Sequence, residues 1–383
     1  MDVRRETVAG GDGDFMTVRH LTVGGTQEEI GRALAEEARA AYGWAPMAAD
    51  SLMGRARRAW FEREWPGHAA RLRGAADAAL VDRGFDGVHL DGWSRPPDGS
   101  GCSVAWCPPS ASTDGHGRIG RNYDFFTTGW AQLFALLSGG TPPAAETPMA
   151  SRPYVITSRP DDGPATTVLT MDTLDGCMEG VNEHGLAIAL LLADVESVGA
   201  PVDAGPQVGL NPVQLPRFVL DTCATAEEAR RALLQAKQYD LGAPLHYLVA
   251  DATGDAFVWE RGPGGVEYVI DAGDGPMCVT NHPLHRHPDP AGLPPDTDAT
   301  MRTYERAAAL AKRTRGAAMS AADLRDAVDS VGFDAAAAGP MPLRTLWRTV
   351  VDVTERTMSA RFYLGDDVGG RPRYSRETVF AAH

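Results

Sequence analysis

The spacing of apolar and polar residues divides the chain into blocks of different period. Thr26 to Tyr42 (TQEEIGRALAEEARAAY) repeats its apolar residues three and four apart. It opens on a threonine followed by acids and stops at Gly43, which predicts a capped amphipathic helix. Two more helical segments are predicted at Asp50 to Trp65 and Gly67 to Gly84, separated by Pro66, so the first hundred residues read as largely helical. From Cys102 the pattern becomes that of strands. SVAW, RIGRNYDFF, PYVITSR, TTVLTMD and MEGVNEHGLAIALLLADV are rich in Val, Ile, Thr and aromatics, with Gly, Pro and Asp between them. Gly139 to Ser151 is a loop by composition. A helical block returns at Pro212 to Gln238, where Thr225 caps the second part. HYLVADATGDAFVWER reads as a hairpin, and VEYVID and MCVTNHP follow. Helices near Thr300 to Thr314 and Ser320 to Ser330 precede a closing hairpin in RTLWRTVVDVTERTMSARFYLG.

Strands, helices, strands, helices and strands in that succession predict an α+β chain, with two antiparallel sheets between helical layers rather than alternating βαβ units. At 383 residues the length fits two to three domains or one large unit. The 36 Lys and Arg against 51 Asp and Glu, a net charge of −15, exclude nucleic acid and anionic membrane as main partners, because phosphates need clustered cations. The densest apolar run, Leu186 to Val195, is about half the length of a bilayer span and carries Asp194. Five cysteines, an odd number with no C-x-x-C pair, argue against a disulfide scaffold or a zinc ribbon. Two arginines near the N-terminus are followed by no apolar core, so no secretory signal is predicted. The expectation is a soluble, cytoplasmic protein with free thiols.

The composition changes at Gly101-Cys102, where a Pro/Gly/Asp loop (SRPPDGSG) gives way to a strand opened by Cys102. About twenty residues later GRNYDFF brings Arg121 and Asp124 onto what would be the neighbouring strand. A thiol needs a nearby cation or amine to become a thiolate, and Arg121 is of the type that supplies one. Against this, Cys102 also reads as a small buried residue, and Arg121 with Asp124 as a surface ion pair.

GCSVAW, GRNYDFF, EGVNEHGLAIAL, VTNHP and TLWRTVVDVTERTM, in this order, resemble the choloylglycine hydrolase superfamily of cysteine N-terminal-nucleophile hydrolases, which includes the penicillin acyltransferase branch. The likeness spans about residues 102–365. It implies a four-layer αββα sandwich at 102–383, preceded by a helical propeptide or α subunit at 1–101. Further, it implies self-cleavage between Gly101 and Cys102 into pieces of 101 and 282 residues, with Cys102 as nucleophile. Arg121 and Asp124 match the R-x-x-D pair, Asn182 a residue of the oxyanion hole, and Asn281 the second asparagine of the site. Arg302 matches the late arginine, with Arg306 competing for that role.

A terminal cysteine carries an amine and a thiol with pKa values of about 8 and 8.5, so one residue provides both base and nucleophile. The expected activity is hydrolysis of a linear, non-peptide amide through a Cys102 thioester. Alternatives are amide formation from a thioester donor, as in secondary metabolism, and an unprocessed ligand-binding member. No cofactor is implied. The expected partners are a small-molecule amide or thioester, the cleaved N-terminal segment and, optionally, a second copy of the chain. Phe125, Phe126 and Trp130 are candidate linings of an acyl pocket, with Phe134 beyond them. Other residues carry blander expectations. His282, His285 and His287, near Cys278 and Asp289, complete no metal-ligand pattern and read as a polar loop. Cys107, Cys177, Cys223 and Cys278 read as structural thiols, and Asp172, Asp175 and Glu179 as a solvated acidic turn.

Overall fold

The computed structural model describes residues 1–84, 86–91, 101–141, 143, 146–171, 174–197, 208–238, 242–262, 265–338 and 341–383. Asp172 and residues 92–100, which carry all of the SRPPDGSG loop but its last glycine, lie outside the described residues. The chain begins with a hairpin of β1 (Asp2–Ala9) and β2 (Val18–Gly25), followed by α1 (Gln27–Tyr42). Two short strands, β3 (Met47–Ala48) and β4 (Val88–His89), pair around α2 (Ser51–Glu64) and α3 (Pro66–Ala79). Next come β5 (Gly101–Cys107), β6 (Arg118–Phe126), α4 (Trp130–Ser138), β7 (Tyr154–Pro160) and β8 (Thr166–Thr170). β9 (Glu179–Asn182), β10 (Ala187–Leu192), α5 (Gln214–Thr222) and α6 (Ala226–Gln235) follow. β11 (Leu245–Ala250), β12 (Ala256–Arg261), β13 (Glu267–Asp271) and β14 (Met277–Val279) lead to α7 (Thr303–Thr314), α8 (Ala321–Asp329) and α9 (Ala335–Ala338). β15 (Leu343–Asp352), β16 (Thr357–Asp366), β17 (Pro372–Tyr374) and β18 (Thr378–Ala381) close the chain.

These strands form two large sheets. One runs in the order β1-β2-β7-β8-β9-β10-β11-β12-β13, the other β14-β5-β6-β15-β16-β17, with β18 also on β16. Helices α1, α5 and α6 pack on the first sheet, α7 and α8 on the second, and β10 contacts β5 across the interior. The result is the expected αββα sandwich. Alternation along β5 divides the cores: Cys102, Val104 and Trp106 belong to the main one, while Ala105 and Cys107 join Leu310, Leu324 and Val328 beneath α7 and α8.

The limits read for α1 hold, whereas the segment read as Gly67 to Gly84 starts at Pro66 and ends at Ala79, and the block at Pro212 to Gln238 is two shorter helices. Thr26 and Glu29 form a capping box on α1, Gly43 ends it at φ 70°, and Thr225 accepts the Glu228 N–H of α6 at 3.2 Å. The N-terminal segment is not purely helical, however. β2 runs parallel to β7, so residues 18–25 extend the first sheet, and the sheet is not wholly antiparallel. Helices α1 and α3 then cross at backbone contact. A Cβ on Gly31 would lie 2.0 Å from the Arg71 carbonyl oxygen, and one on Gly74 1.9 Å from that of Glu28.

Candidate active site

Cys102 sits in the centre of the second sheet, 1% exposed, on a strand whose neighbours are β14 and β6. Its register partner is Tyr123, and that of Gly101 is Asp124. Side chains alternate across a strand, so the odd spacing of Arg121 and Asp124 sends them to opposite faces. They are therefore not an ion pair. Arg121 attends the thiol and Asp124 the backbone at the proposed cut.

On the thiol side, Arg121 Nη2 lies 3.6 Å from Cys102 Sγ, and Nη1 donates to the Met178 carbonyl at 2.8 Å. Nη1 also donates to the carboxylate of Glu179, which is 1% exposed. The other Glu179 oxygen accepts from Trp347 Nε1 at 2.9 Å and Thr349 Oγ1 at 3.0 Å. Burial works against the Arg121 charge, but the Glu179 carboxylate and the thiol hold its pKa above the usual value. Glu179 is thus the buried partner of the site arginine, where a solvated turn had been expected. Burial raises the Cys102 thiol, with Arg121 opposing, so the uncut residue rests as a thiol.

On the backbone side, the Cys102 N–H donates to Asn281 Oδ1 at 2.7 Å. Arg306 Nη2 donates to the same oxygen at 2.8 Å, and its Nη1 to the Cys102 carbonyl at 2.8 Å. Asn281 is fixed in turn: its N–H donates to Thr303 Oγ1 at 2.7 Å and its Nδ2 to the Leu192 carbonyl at 2.9 Å. Asp124 accepts from Thr345 Oγ1 at 2.5 Å, and its Oδ2 lies 3.6 Å from Arg306 Nη1, with no hydrogen bond among the described residues. Burial lifts its carboxyl to about 6 despite the Arg306 charge.

Cys102, Arg121, Asp124 and Asn281 therefore converge, and Arg306 joins them. Arg302 does not. It precedes α7 in a left-handed conformation and pairs with Glu305 on the surface at 2.9 Å, while Arg306, one turn into the helix, is 1% exposed. Asn182 is also elsewhere. Its Oδ1 accepts the N–H groups of His184 and Leu186, and its Nδ2 donates to the carbonyls of Leu220 and Cys223. Gly185 completes this turn at φ 82°, where a Cβ would lie 2.3 Å from the Val353 carbonyl oxygen, so GVNEHGL is here a turn motif. Asn182→Ala is expected to lower stability by about 2–4 kcal/mol in denaturant unfolding, because buried backbone groups lose their partner. The surviving folded protein is expected to turn over at close to the wild-type rate.

Phe125 and Phe126 are buried in the main core, and Trp130 is 50% exposed at the start of α4. Of the three only Trp130 lines a cavity of about 580 Å³, whose other walls include Leu34, Trp44, Leu72, Met149, Met171 and Leu174. One of its wall residues, Met171, accepts a hydrogen bond on Sδ from the Tyr123 hydroxyl of β6 at 3.0 Å. Phe134 is exposed. Of the histidine run only His285 contacts the buried Glu260 carboxylate, which His246 Nε2 also meets at 2.7 Å. His246 Nδ1 reaches the Thr280 carbonyl beside Asn281 at 3.2 Å, and His282 Nδ1 reaches Thr280 Oγ1 at 3.0 Å. All five cysteines are free. Among the described residues no helix is long and apolar enough to cross a membrane.

A four-layer αββα sandwich with a cysteine near the head of a central strand is the architecture of the N-terminal-nucleophile hydrolases. Residues 112–366, about two thirds of the chain, match the acyl-coenzyme A:6-aminopenicillanic acid acyl-transferase family, and the chain belongs to it. The match contains Arg121, Asp124, Asn281 and Arg306, and starts after Cys102. Similar solved structures include a conjugated bile acid hydrolase from Clostridium perfringens (15% identity, TM-score 0.46, covering 73% of this chain and 96% of that one). A penicillin V acylase from Agrobacterium tumefaciens is 17% identical, with TM-score 0.44, covering 68% of this chain and 82% of that one. An N-acylethanolamine-hydrolyzing acid amidase ortholog from Caenorhabditis elegans is 16% identical, with TM-score 0.40, covering 66% and 93%. No curated protein sequence matches the chain.

Proposed function

We infer that the protein is a self-processing cysteine amidohydrolase or acyltransferase that works through a Cys102 thioester. The observation that carries the reading is the pair of grips on one residue: Asn281 Oδ1 at 2.7 Å from its backbone nitrogen and Arg121 at 3.6 Å from its sulfur. In processing, Sγ attacks the Gly101 carbonyl, the C–N bond to Cys102 breaks, and the thioester that forms is hydrolysed by water. The new α-amine stays on Asn281 Oδ1, with Asp124 Oδ2 as its second acceptor. In turnover that amine takes the thiol proton as the sulfur attacks an amide or thioester carbonyl, then returns it to the leaving group. Arg121 stabilises the thiolate. The second N–H of Asn281 Nδ2 serves the oxyanion, a donor whose loss typically costs about 2.7–4 kcal/mol of barrier.

Family membership favours transfer to an amine over hydrolysis as the second half-reaction. Intact-mass measurement of purified protein should show pieces of 101 and 282 residues; a single species of 383 would overturn the processing step. Supplying an acyl thioester with an amine, and separately an amide with water, ranks the two half-reactions. Faster amide formation would establish the transferase.

A further inference from the structure

The cavity lined by α1 and α3 contains a polar group that the chemistry above does not use. His68 on α3, Asp91 after β4 and Asp175 after β8 all line it. Their nearest ligand atoms lie within 4.8 Å of one another. His68 is 1% exposed, stacked on Trp65 at 4.1 Å and edge-on to Phe61 at 4.7 Å, so its ring orientation is fixed. Neither ring nitrogen has a hydrogen bond among the described residues, and Nε2 lies 3.9 Å from Asp91 Oδ2. A buried imidazole nitrogen without a partner is unfavourable, and a ligand that supplies the partner removes that penalty.

We propose that His68, Asp91 and Asp175 form a site for a primary ammonium group, and that its carbon body lies in the apolar part of the cavity, toward Met171. The centre of a triangle with sides of 4.8 Å or less is at most about 2.8 Å from each corner, the length of a hydrogen bond. An ammonium offers three donors and no acceptor, which matches one imidazole nitrogen and two carboxylates. The acids are already oriented. Arg57 Nη1 donates to Asp91 Oδ1 at 2.6 Å, and Gln214 Nε2 to Asp91 Oδ2 at 2.5 Å and Asp175 Oδ2 at 3.1 Å. Arg71, which also lines the cavity, is engaged with Asp221 at 2.6 Å. Beyond the triangle, Leu34, Leu174 and Met171 supply apolar wall, and Met171 touches Tyr123, the register partner of Cys102.

His68 and Asp91 lie outside the residues that match the family and Asp175 within them, so the N-terminal segment of this chain supplies two of the three residues of the subsite. A reacting amine must be unprotonated, so the ammonium held here is a second, distal one. That it belongs to the substrate rests on the proposed acyl-transfer reading; that the site takes an ammonium does not.

The test is calorimetric titration of purified wild-type protein, with n-hexylammonium chloride and 1-hexanol as probes, neither of which has a bond the enzyme cleaves. Hexylammonium should bind at least about tenfold tighter, the value of one charge-assisted contact. His68→Phe and Asp175→Asn should each remove the preference. If His68→Phe fails to fold, as judged by circular dichroism, Asp175→Asn carries the test alone. Equal affinity for the two probes in wild type, or a preference that survives Asp175→Asn, overturns the proposal. So does stoichiometric Zn²⁺ binding that depends on His68 with no preference for hexylammonium. The measurement does not involve Cys102, whose failure would appear in the mass spectrum instead.

Discussion

Cys102→Ala is expected to leave the chain as a single species of 383 residues with no amide or thioester turnover. Removing a covalent nucleophile from a hydrolase costs on the order of 10⁶ in kcat, the size measured in subtilisin. Here the loss is compounded, because the uncut residue also lacks the free amine that would act as base. Unfolding would not explain such a result. The substitution deletes one sulfur from a residue that is 1% exposed, a change of about 1 kcal/mol or less by comparison with larger truncations. Intact mass, a turnover assay and a denaturation curve on the same preparation separate the two causes. Residual cleavage at Gly101-Cys102, or turnover above about 1% of wild type, would assign the nucleophile elsewhere, since the expected loss is orders of magnitude larger.

The central strands after Cys102 were legible because they are buried on both faces and carry continuous Val, Ile and aromatic runs, whereas the short, partly exposed β17 and β18 were not read. β6 and β10 show no exposed position at all. The first hairpin was not legible for the opposite reason. β1 (DVRRETVA) is an edge strand with four charged residues and only one buried position, so no two-residue alternation stands out. Strand β2 was hidden by its pairing: it reaches β7 across more than a hundred residues, in parallel, which no local turn announces.

The site residues divide along similar lines. Cys102, Arg121, Asp124 and Asn281 were readable from ordered motifs, and all four meet. Arg306 had a signal of its own, since it shares the helical face of Thr303, Leu310 and Ala311, all buried, whereas Arg302 lies outside the helix. Asn182 followed its ordinary turn chemistry instead. Glu179 was hidden by its neighbour: beside Asp175 it looked like part of a solvated turn. Yet it opens a strand whose next residue on the same face is Val181, fully buried. A carboxylate in phase with a core valine is a candidate buried partner for an arginine, and the sequence does contain that arginine, Arg121.

That pair supports the second large effect. Glu179→Leu removes the carboxylate from Arg121, leaves a guanidinium charge in a site that is 1% exposed, and strips Trp347 Nε1 and Thr349 Oγ1 of their acceptor. Breaking one side of a buried ion pair typically costs about 3–5 kcal/mol, more than the pair itself contributes against an apolar replacement. Measured by urea unfolding in the Cys102→Ala background, where the chain is one piece, Glu179→Leu should lower the unfolding free energy by that amount. Glu179→Gln keeps an acceptor for Trp347 or Thr349 and so should lose less. In the Cys102 enzyme the two variants should also differ in chemistry. Without Glu179 the guanidinium is free to turn from the sulfur, so kcat should fall more than KM rises, and more in Glu179→Leu than in Glu179→Gln. A Leu variant as stable as its parent would show that Arg121 is compensated by its carbonyl partners Met178 and Leu190 rather than by Glu179. The thiolate would then be held by backbone dipoles as much as by a fixed charge.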